Sequence, residues 1–364
     1  MIHIIIGTKA QLVKMGPLMS LLQIRNIPYN FILTGQHRET MRDLRENFEV
    51  KDPDAVLYEG NDIKSVSAMF FWIVRILCKV LFGRIEIFQN DQKGIVLVHG
   101  DTFSCLVGAL LAKVKGHRVG HVESGLRSFN IFHPFPEELT RIFTFYLADI
   151  YFCPGEWAMG NLKHHKGEKV NTRYNTLLDS LRLASEDCAN TRADILVDKY
   201  CVVSIHRFEN IFKKCNLERI VEIVEEIATK AKTIFILHPP TEKKLKQLGL
   251  FHRLLTNPGI ELRPRCDYFS FIKIVRNSQF LVTDGGSNQE EAFYMGKPCL
   301  LLRKASERKE GLGANVVISK YDSNVISDFL ENYTKCNFNP INVALSPSEI
   351  ILSHILPWGI QKVE

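Results

Sequence analysis

Short apolar runs alternate along this chain with longer amphipathic stretches. In the first half the runs are IHIIIG (2–7), YNFILTG (29–35), GIVLVHG (94–100) and RVGHVE (118–123). Helical spacing fills 11–25, 39–47, 65–82, 103–115 and the stretch that starts at 137. Each run is short enough for a buried strand and ends on glycine or a polar residue, which is the signature of a parallel, doubly wound sheet. The second half repeats the pattern, with strands predicted over 199–206, 233–239, 259–264, 280–286 and 298–303 and helices over 217–231, 269–277 and 288–295. Between the halves, 170–193 is polar and reads as a connecting helix and linker.

The expected architecture is therefore α/β, with two Rossmann-like domains whose parallel sheets face each other across a cleft. Residues 1–170 would form the first domain, 171–198 the connection, 199–345 the second domain, and 346–364 a C-terminal segment packing back on the first. Open parallel sheets bind ligands at the carboxyl ends of their strands, so chemistry is sought there. A lone Gly7 follows the first strand in place of GxGxxG, which argues against a dinucleotide.

Charge and composition narrow the classes. A net charge of +6, spread along the chain, suits a small anionic substrate and gives no nucleic-acid footprint. Nine cysteines stand singly, without the Cys/His spacing of a structural metal site, so no metal is expected. Their odd number and the absence of a leader-like start predict reduced thiols and a cytoplasmic protein. The 65–82 segment is apolar enough to suggest a membrane, but Arg75 and Lys79 fall in its middle, so it reads as a largely buried amphipathic helix rather than a span.

Four stretches carry candidate chemistry. In GTKAQLVKMGP, Gly7 and Thr8 turn strand into helix, where free N–H groups beside Lys9 and Lys14 would attract phosphate. In 99–141, Asp101, Glu123 and the pair Glu137 and Glu138 lie at or just beyond strand ends, with Arg127 and Arg141 nearby; several carboxylates in one region suit acid and base work on a sugar. In SIHRFEN, His206 ends a strand and can contact phosphate or move a proton. In TDGGSNQEE, the turn Asp284, Gly285, Gly286 and Ser287 can again bring N–H groups to phosphate, and Glu291 can accept from ribose hydroxyls.

Taken in order, GTKAQLVKMGPL, TGQHRETM, VLVHGDT, GHVESGLR, PFPEELTR, YNTLLDSL, HRFEN, PRCDYFSFI, TDGGSNQEE, GKPCLLLR and SERKEG resemble the non-hydrolysing UDP-N-acetylglucosamine 2-epimerases across nearly the whole chain. The resemblance implies a glycosyltransferase-B-like (GT-B-like) fold, a homodimer, and an isomerase that needs no cofactor. The implied reaction converts UDP-N-acetylglucosamine, or a related UDP-2-acetamido sugar, to its UDP-N-acetylmannosamine-type epimer by eliminating UDP and adding it back to a 2-acetamidoglucal. A hydrolysing 2-epimerase and a glycosyltransferase of the same architecture are the alternatives.

By motif position the resemblance assigns Asp101, Glu123 and Glu137 to acid/base work and His206 to the diphosphate. Lys9, Lys14, Gly285, Gly286, Ser287 and Arg308 would surround phosphate or sugar, Arg141 would support the acidic cluster, Glu291 would bind ribose and Phe271 would sit by uracil. Gln36, His37 and Arg38 match a segment tied to an allosteric UDP-sugar site in some bacterial members. The chain departs from the family pattern at Lys9 and Gln11 (GTKAQ for GTRPE), at Phe208 (HRFE for HRRE), in TDGGS for TDSGG, and in RYNT (173–176) for TGNT.

Overall fold

The structure is a computed structural model that describes residues 1–36, 41–60, 66–81, 86–89, 91, 93–130, 136–190, 199–306 and 308–359. His37 and Arg38 lie outside the described residues. The chain divides into two compact units, one of 1–183 with 344–364 and one of 184–343.

The first unit contains β1 (Ile2–Ile6), α1 (Lys9–Ile24), β2 (Tyr29–Leu33), α2 (Met41–Asn47), β3 (Ala55–Val56), α3 (Val66–Leu81), β4 (Ile95–His99), α4 (Phe103–Val114), β5 (Arg118–Val122), α5 (Glu137–Leu147), β6 (Ile150–Cys153), α6 (Glu156–Asn161), β7 (Glu168–Asn171) and the start of α7 (Leu177–Asn190). Its parallel strands run in the order β3-β2-β1-β4-β5-β6-β7. Central strands such as β1 and β4 are buried at every residue, as a sheet covered by helices on both faces requires.

The second unit contains β8 (Tyr200–Ile205), α8 (Phe208–Ile211), α9 (Lys214–Ala228), β9 (Lys232–Leu237), α10 (Pro239–Gln247), α11 (Leu250–Leu255), β10 (Ile260–Pro264), α12 (Tyr268–Asn277), β11 (Leu281–Thr283), α13 (Gly286–Tyr294), β12 (Cys299–Leu301), β13 (Val316–Ile318) and α14 (Ser323–Asn332). Its order is β10-β9-β8-β11-β12-β13. The chain then returns to the first unit as α15 (Pro347–Gly359), which packs on α1 and ties Ser348 N–H to the Asp179 carboxylate at 2.8 Å.

Both sheets reverse their winding once, between β1 and β4 and between β8 and β11. Such a reversal splays the flanking helices and opens a crevice at the strand ends. The residues that follow these four strands are Gly7 and Thr8, Gly100 and Asp101, His206, and Asp284.

The predicted linker is more ordered than its polarity suggests. Residues 168–171 form β7, and α7 carries the chain over the boundary at 183 and 184, inside a helix and not in a loop. Its first turns belong to the first unit because Ser180 Oγ donates to Val13 O at 2.5 Å and Asp179 holds α15.

In α3, Trp72, Ile76 and Val80 are buried at i, i+4 and i+8 while Phe71, Val74 and Arg75 are exposed, as amphipathic spacing predicts. Among the described residues no helix is long and apolar enough to cross a membrane.

Candidate functional site

At the switch point of the first unit, α1 opens with a closed capping box. Thr8 Oγ1 accepts the Gln11 N–H at 3.3 Å, and Gln11 Oε1 accepts from the N–H groups of Gly7 and Thr8 at 2.9 and 3.0 Å. Gln11 Nε2 then donates to His99 O at 2.7 Å, joining α1 to the end of β4. The N–H groups of Gly7 and Thr8 are thus both taken by Gln11, which stands where the family pattern has glutamate. Lys9 is half-buried at the helix start.

Lys14 is not a solvated anion ligand. It is buried, and its Nζ lies 2.5 Å from Glu123 Oε1. Asn175 Nδ2 donates to the same oxygen at 2.6 Å, while His99 Nε2 stands 3.5 Å from the other. Glu123 itself has φ of 62°, a left-handed conformation that costs a non-glycine residue about 1 kcal/mol. Such a conformation persists only where the surrounding structure holds it in place.

A second acidic group joins Asp101 to α5. Arg141 donates to Asp101 Oδ2 and, at 2.6 Å, to Glu138 Oε2. Arg127 Nε lies 2.5 Å from Glu138 Oε1, and Ser128 N–H donates to Glu138 at 3.1 Å. Glu138 has no solvent exposure. Burial raises its pKa, but the bonds from Arg127 and Ser128 and the nearby arginine charges outweigh that and leave it lowered. Glu137, one residue earlier at the start of α5, keeps its Oε2 buried with no hydrogen bond from the described residues.

His121, inside β5, links these groups: its Nε2 donates to Gly100 O at 2.7 Å and its Nδ1 accepts from Ser124 Oγ at 2.9 Å. Burial pushes its pKa down to about 4. Gln36 is buried and accepts from Ser104 Oγ at 2.6 Å, which places it against the start of α4.

In the second unit the buried Asp284 organises the switch point. Its carboxylate accepts from the backbone N–H groups of His206 and Arg207, both at 3.0 Å, and from Asn210 Nδ2 at 2.9 Å. The His206 ring lies against that of His238, tilted by 34° with centroids 4.7 Å apart. Burial lowers the His206 pKa, partly opposed by the Asp284 charge. Gly285 caps α13 with φ of −81°, so its glycine is not required by a left-handed turn. Close approach explains it: a Cβ there would lie 2.7 Å from His206 Cε1 and 2.6 Å from Asn288 Oδ1.

Gly286 and Ser287 form the first turn of α13. Further along, buried Glu291 accepts from Asn288 Nδ2 at 2.7 Å, and Glu290 pairs with Arg308 Nη1 at 2.6 Å. Phe271 packs in α12 against the core cluster around Val202 and Leu281. Phe208, exposed after His206, stacks on Phe212 at 4.3 Å.

One further cluster, His3, Asp91 and His117, has metal-ligand composition and lies at the opposite, amino end of the first sheet. Gly94 N–H donates to His117 Nδ1 at 3.1 Å and Asn30 Nδ2 to His3 Nδ1 at 2.9 Å. Those bonds leave the protons on both Nε2 atoms, so neither ring offers a lone pair there: His3 Nε2 donates to Asp91 Oδ2 at 3.0 Å, and His117 Nε2 has no hydrogen-bond partner among the described residues.

Glu138, Asn175 and Asp284 hold the candidate residues in place, a role to which the motifs assigned none of them. Glu138 was visible as the neighbour of Glu137, Asp284 as the residue before two glycines, and Asn175 as part of RYNT (173–176), with nothing in those motifs to show what each would touch.

Two doubly wound parallel units, each with its polar groups gathered at the winding reversal, place the chain in the two-domain α/β class of GT-B-like fold. The sequence profile of the family described as UDP-N-acetylglucosamine 2-epimerase matches residues 20–343. The UDP-N-acetylglucosamine 2-epimerase of Methanocaldococcus jannaschii is 31% identical, over 98% of this chain and 99% of the relative. That of Campylobacter jejuni is 33% identical over 87% and 84%. Among solved structures, the UDP-GlcNAc 2-epimerase from Neisseria meningitidis bound to UDP-GlcNAc superposes with a TM-score of 0.84 at 28% identity, covering 98% of this chain and 99% of its own. The M. jannaschii enzyme in complex with UDP-GlcNAc and UDP gives a TM-score of 0.82 at 28% identity, over the same shares of the two chains. The chain belongs to the UDP-N-acetylglucosamine 2-epimerase family.

Proposed function

We propose that this chain is a non-hydrolysing 2-epimerase that interconverts UDP-N-acetylglucosamine, or a related UDP-2-acetamido sugar, with its C2 epimer. The observation that supports the reading is kinship over 98% of the chain to enzymes named UDP-N-acetylglucosamine 2-epimerase, one of them solved with UDP-GlcNAc at a TM-score of 0.84. The retained carboxylates support it.

In this reading a carboxylate removes the weakly acidic proton at C2 as the anomeric C–O bond breaks and UDP departs. Return of the proton to the opposite face and re-addition of UDP give the epimer. Asp101, Glu123 and Glu137 supply the proton-handling groups, two of them set against cations and the third with a buried oxygen that takes no hydrogen bond from the described residues. His206, Arg308 and the N–H groups of Gly286 and Ser287 at the start of α13 take the charge that develops on the departing diphosphate. Glu291 binds ribose, Phe271 flanks the uracil, Lys9 stands by phosphate, Lys14 acts on the sugar side through Glu123, and Arg141 through Asp101. Gln36 with His37 and Arg38 would form a second, regulatory sugar-nucleotide contact. The enzyme is read as a cytoplasmic homodimer.

Incubation with UDP-GlcNAc in deuterium oxide tests the reading. UDP-ManNAc bearing deuterium at C2, without stoichiometric release of UDP, is expected. Failure to form a labelled epimer from any UDP-2-acetamido sugar would overturn it, and accumulation of UDP with free sugar would point to the hydrolysing reaction.

A further inference from the structure

We propose that Asn175 is a positioning residue that makes the setting of Glu123 depend on the start of α7. This deepens the reading above and rests on Glu123 being one of its working carboxylates.

The side chain of Asn175 is buried and its two ends do different things. Oδ1 accepts the Leu177 N–H at 3.1 Å and so closes a turn into α7, which begins at that residue; Nδ2 donates to Glu123 Oε1 at 2.6 Å. The orientation of the amide is settled by chemistry, because a backbone N–H only donates and a carboxylate oxygen paired with Lys14 accepts.

Lys14 and His99, two other groups beside this carboxylate, come from α1 and β4, inside the first unit. Asn175 comes from the segment that opens α7, the helix that carries the chain from the first unit into the second. That segment is braced from below, since Thr172 Oγ1 donates to Cys153 O at 2.9 Å.

The Glu123 backbone is already held left-handed, so its carboxylate is set by its hydrogen-bond partners rather than by free rotation of the chain. A displacement of the first turn of α7 moves Oδ1 with Leu177, and the same rigid amide carries Nδ2 away from Glu123. One side chain thus couples the inter-unit helix to the carboxylate.

The experiment compares wild type with Asn175→Asp, in kcat, KM and pH profile under the deuterium assay. Aspartate closes the same kind of turn but replaces the donor with a second carboxylate beside Glu123. The expected result is a fall in kcat of about tenfold or more, the loss of one charged hydrogen bond, with KM changed less than about threefold. The acid limb of the kcat profile moves up by about one unit, because two neighbouring carboxylates hold a proton more tightly.

If Asn175→Asp does not fold, Asn175→Ser carries the test. Serine retains an acceptor for the turn and is too short to reach Glu123, and the same split between kcat and KM is expected without the pH shift. Wild-type kcat and pH profile in a folded Asn175 variant would overturn the proposal and leave the epimerase reading standing. A wild-type protein that epimerises no UDP-2-acetamido sugar would overturn that reading, and this proposal with it.

Discussion

Lys14 Nζ lies 2.5 Å from Glu123 Oε1, with both side chains almost wholly shielded from solvent. Removing one member strands the other as an uncompensated buried charge, at a cost of about 3 to 5 kcal/mol, while removing both costs far less. A double-mutant cycle of Lys14→Met and Glu123→Gln in urea should therefore return a large favourable coupling. Additive effects of the two changes would contradict the pairing.

Glu138 should make the first unit sensitive to acid. Its folded-state pKa is lowered below the ordinary carboxylate value of 4.5, so its contribution is fully present above that pH and is lost as pH falls through the folded value. Glu138→Gln should cost about 3 kcal/mol at neutral pH by leaving Arg127 without its buried partner. The gap between the urea midpoints of wild type and variant should narrow steadily below pH 4.5. A gap that does not change with pH would mean that the carboxylate charge is not what stabilises.

His206 is expected to take up a proton when UDP binds. Burial, only partly opposed by Asp284, holds its pKa below the usual 6.5, so the free ring is mostly neutral at that pH. A diphosphate beside it favours the charged form and raises the pKa. Calorimetric titration with UDP at pH near 6.5, in buffers of different ionisation enthalpy, should show net proton uptake that His206→Gln abolishes. Equal uptake in the variant would place the proton elsewhere.

Gly285→Ala tests whether close approach is the reason for glycine at the cap of α13. The backbone there suits alanine, but the new Cβ would press on His206 Cε1 at 2.7 Å. Crowding of this kind costs about 1 to 3 kcal/mol and should appear as a loss of kcat/KM of about tenfold with the fold intact. Full activity in the variant would show that the ring can give way without consequence.

Much of this was legible in the sequence. Strand ends at 7, 100, 123, 206 and 286 could be read from apolar runs, and with them the positions of Asp101, Glu123 and His206. What the sequence did not expose is which groups hold them. Glu123 meets Lys14 across 109 residues and Asn175 across 52, and His206 meets Asp284 across 78. Lys14 read as a lysine beside phosphate because nothing within its own helix shows the carboxylate opposite.

Alternation of apolar and polar residues by itself determined the parallel α/β class, the succession of strands and helices, and the placing of chemistry at strand ends, because each depends on the local period of the chain. The tertiary structure alone decided that α1 closes its own N-terminus with Gln11, that the unit boundary falls within α7, and that Lys14 and Asn175 converge on one carboxylate oxygen. Those outcomes depend on strand order: setting β4 beside β1 and β5 beside β4 brings α1 to the end of β5, and no periodicity within either element encodes that neighbourhood.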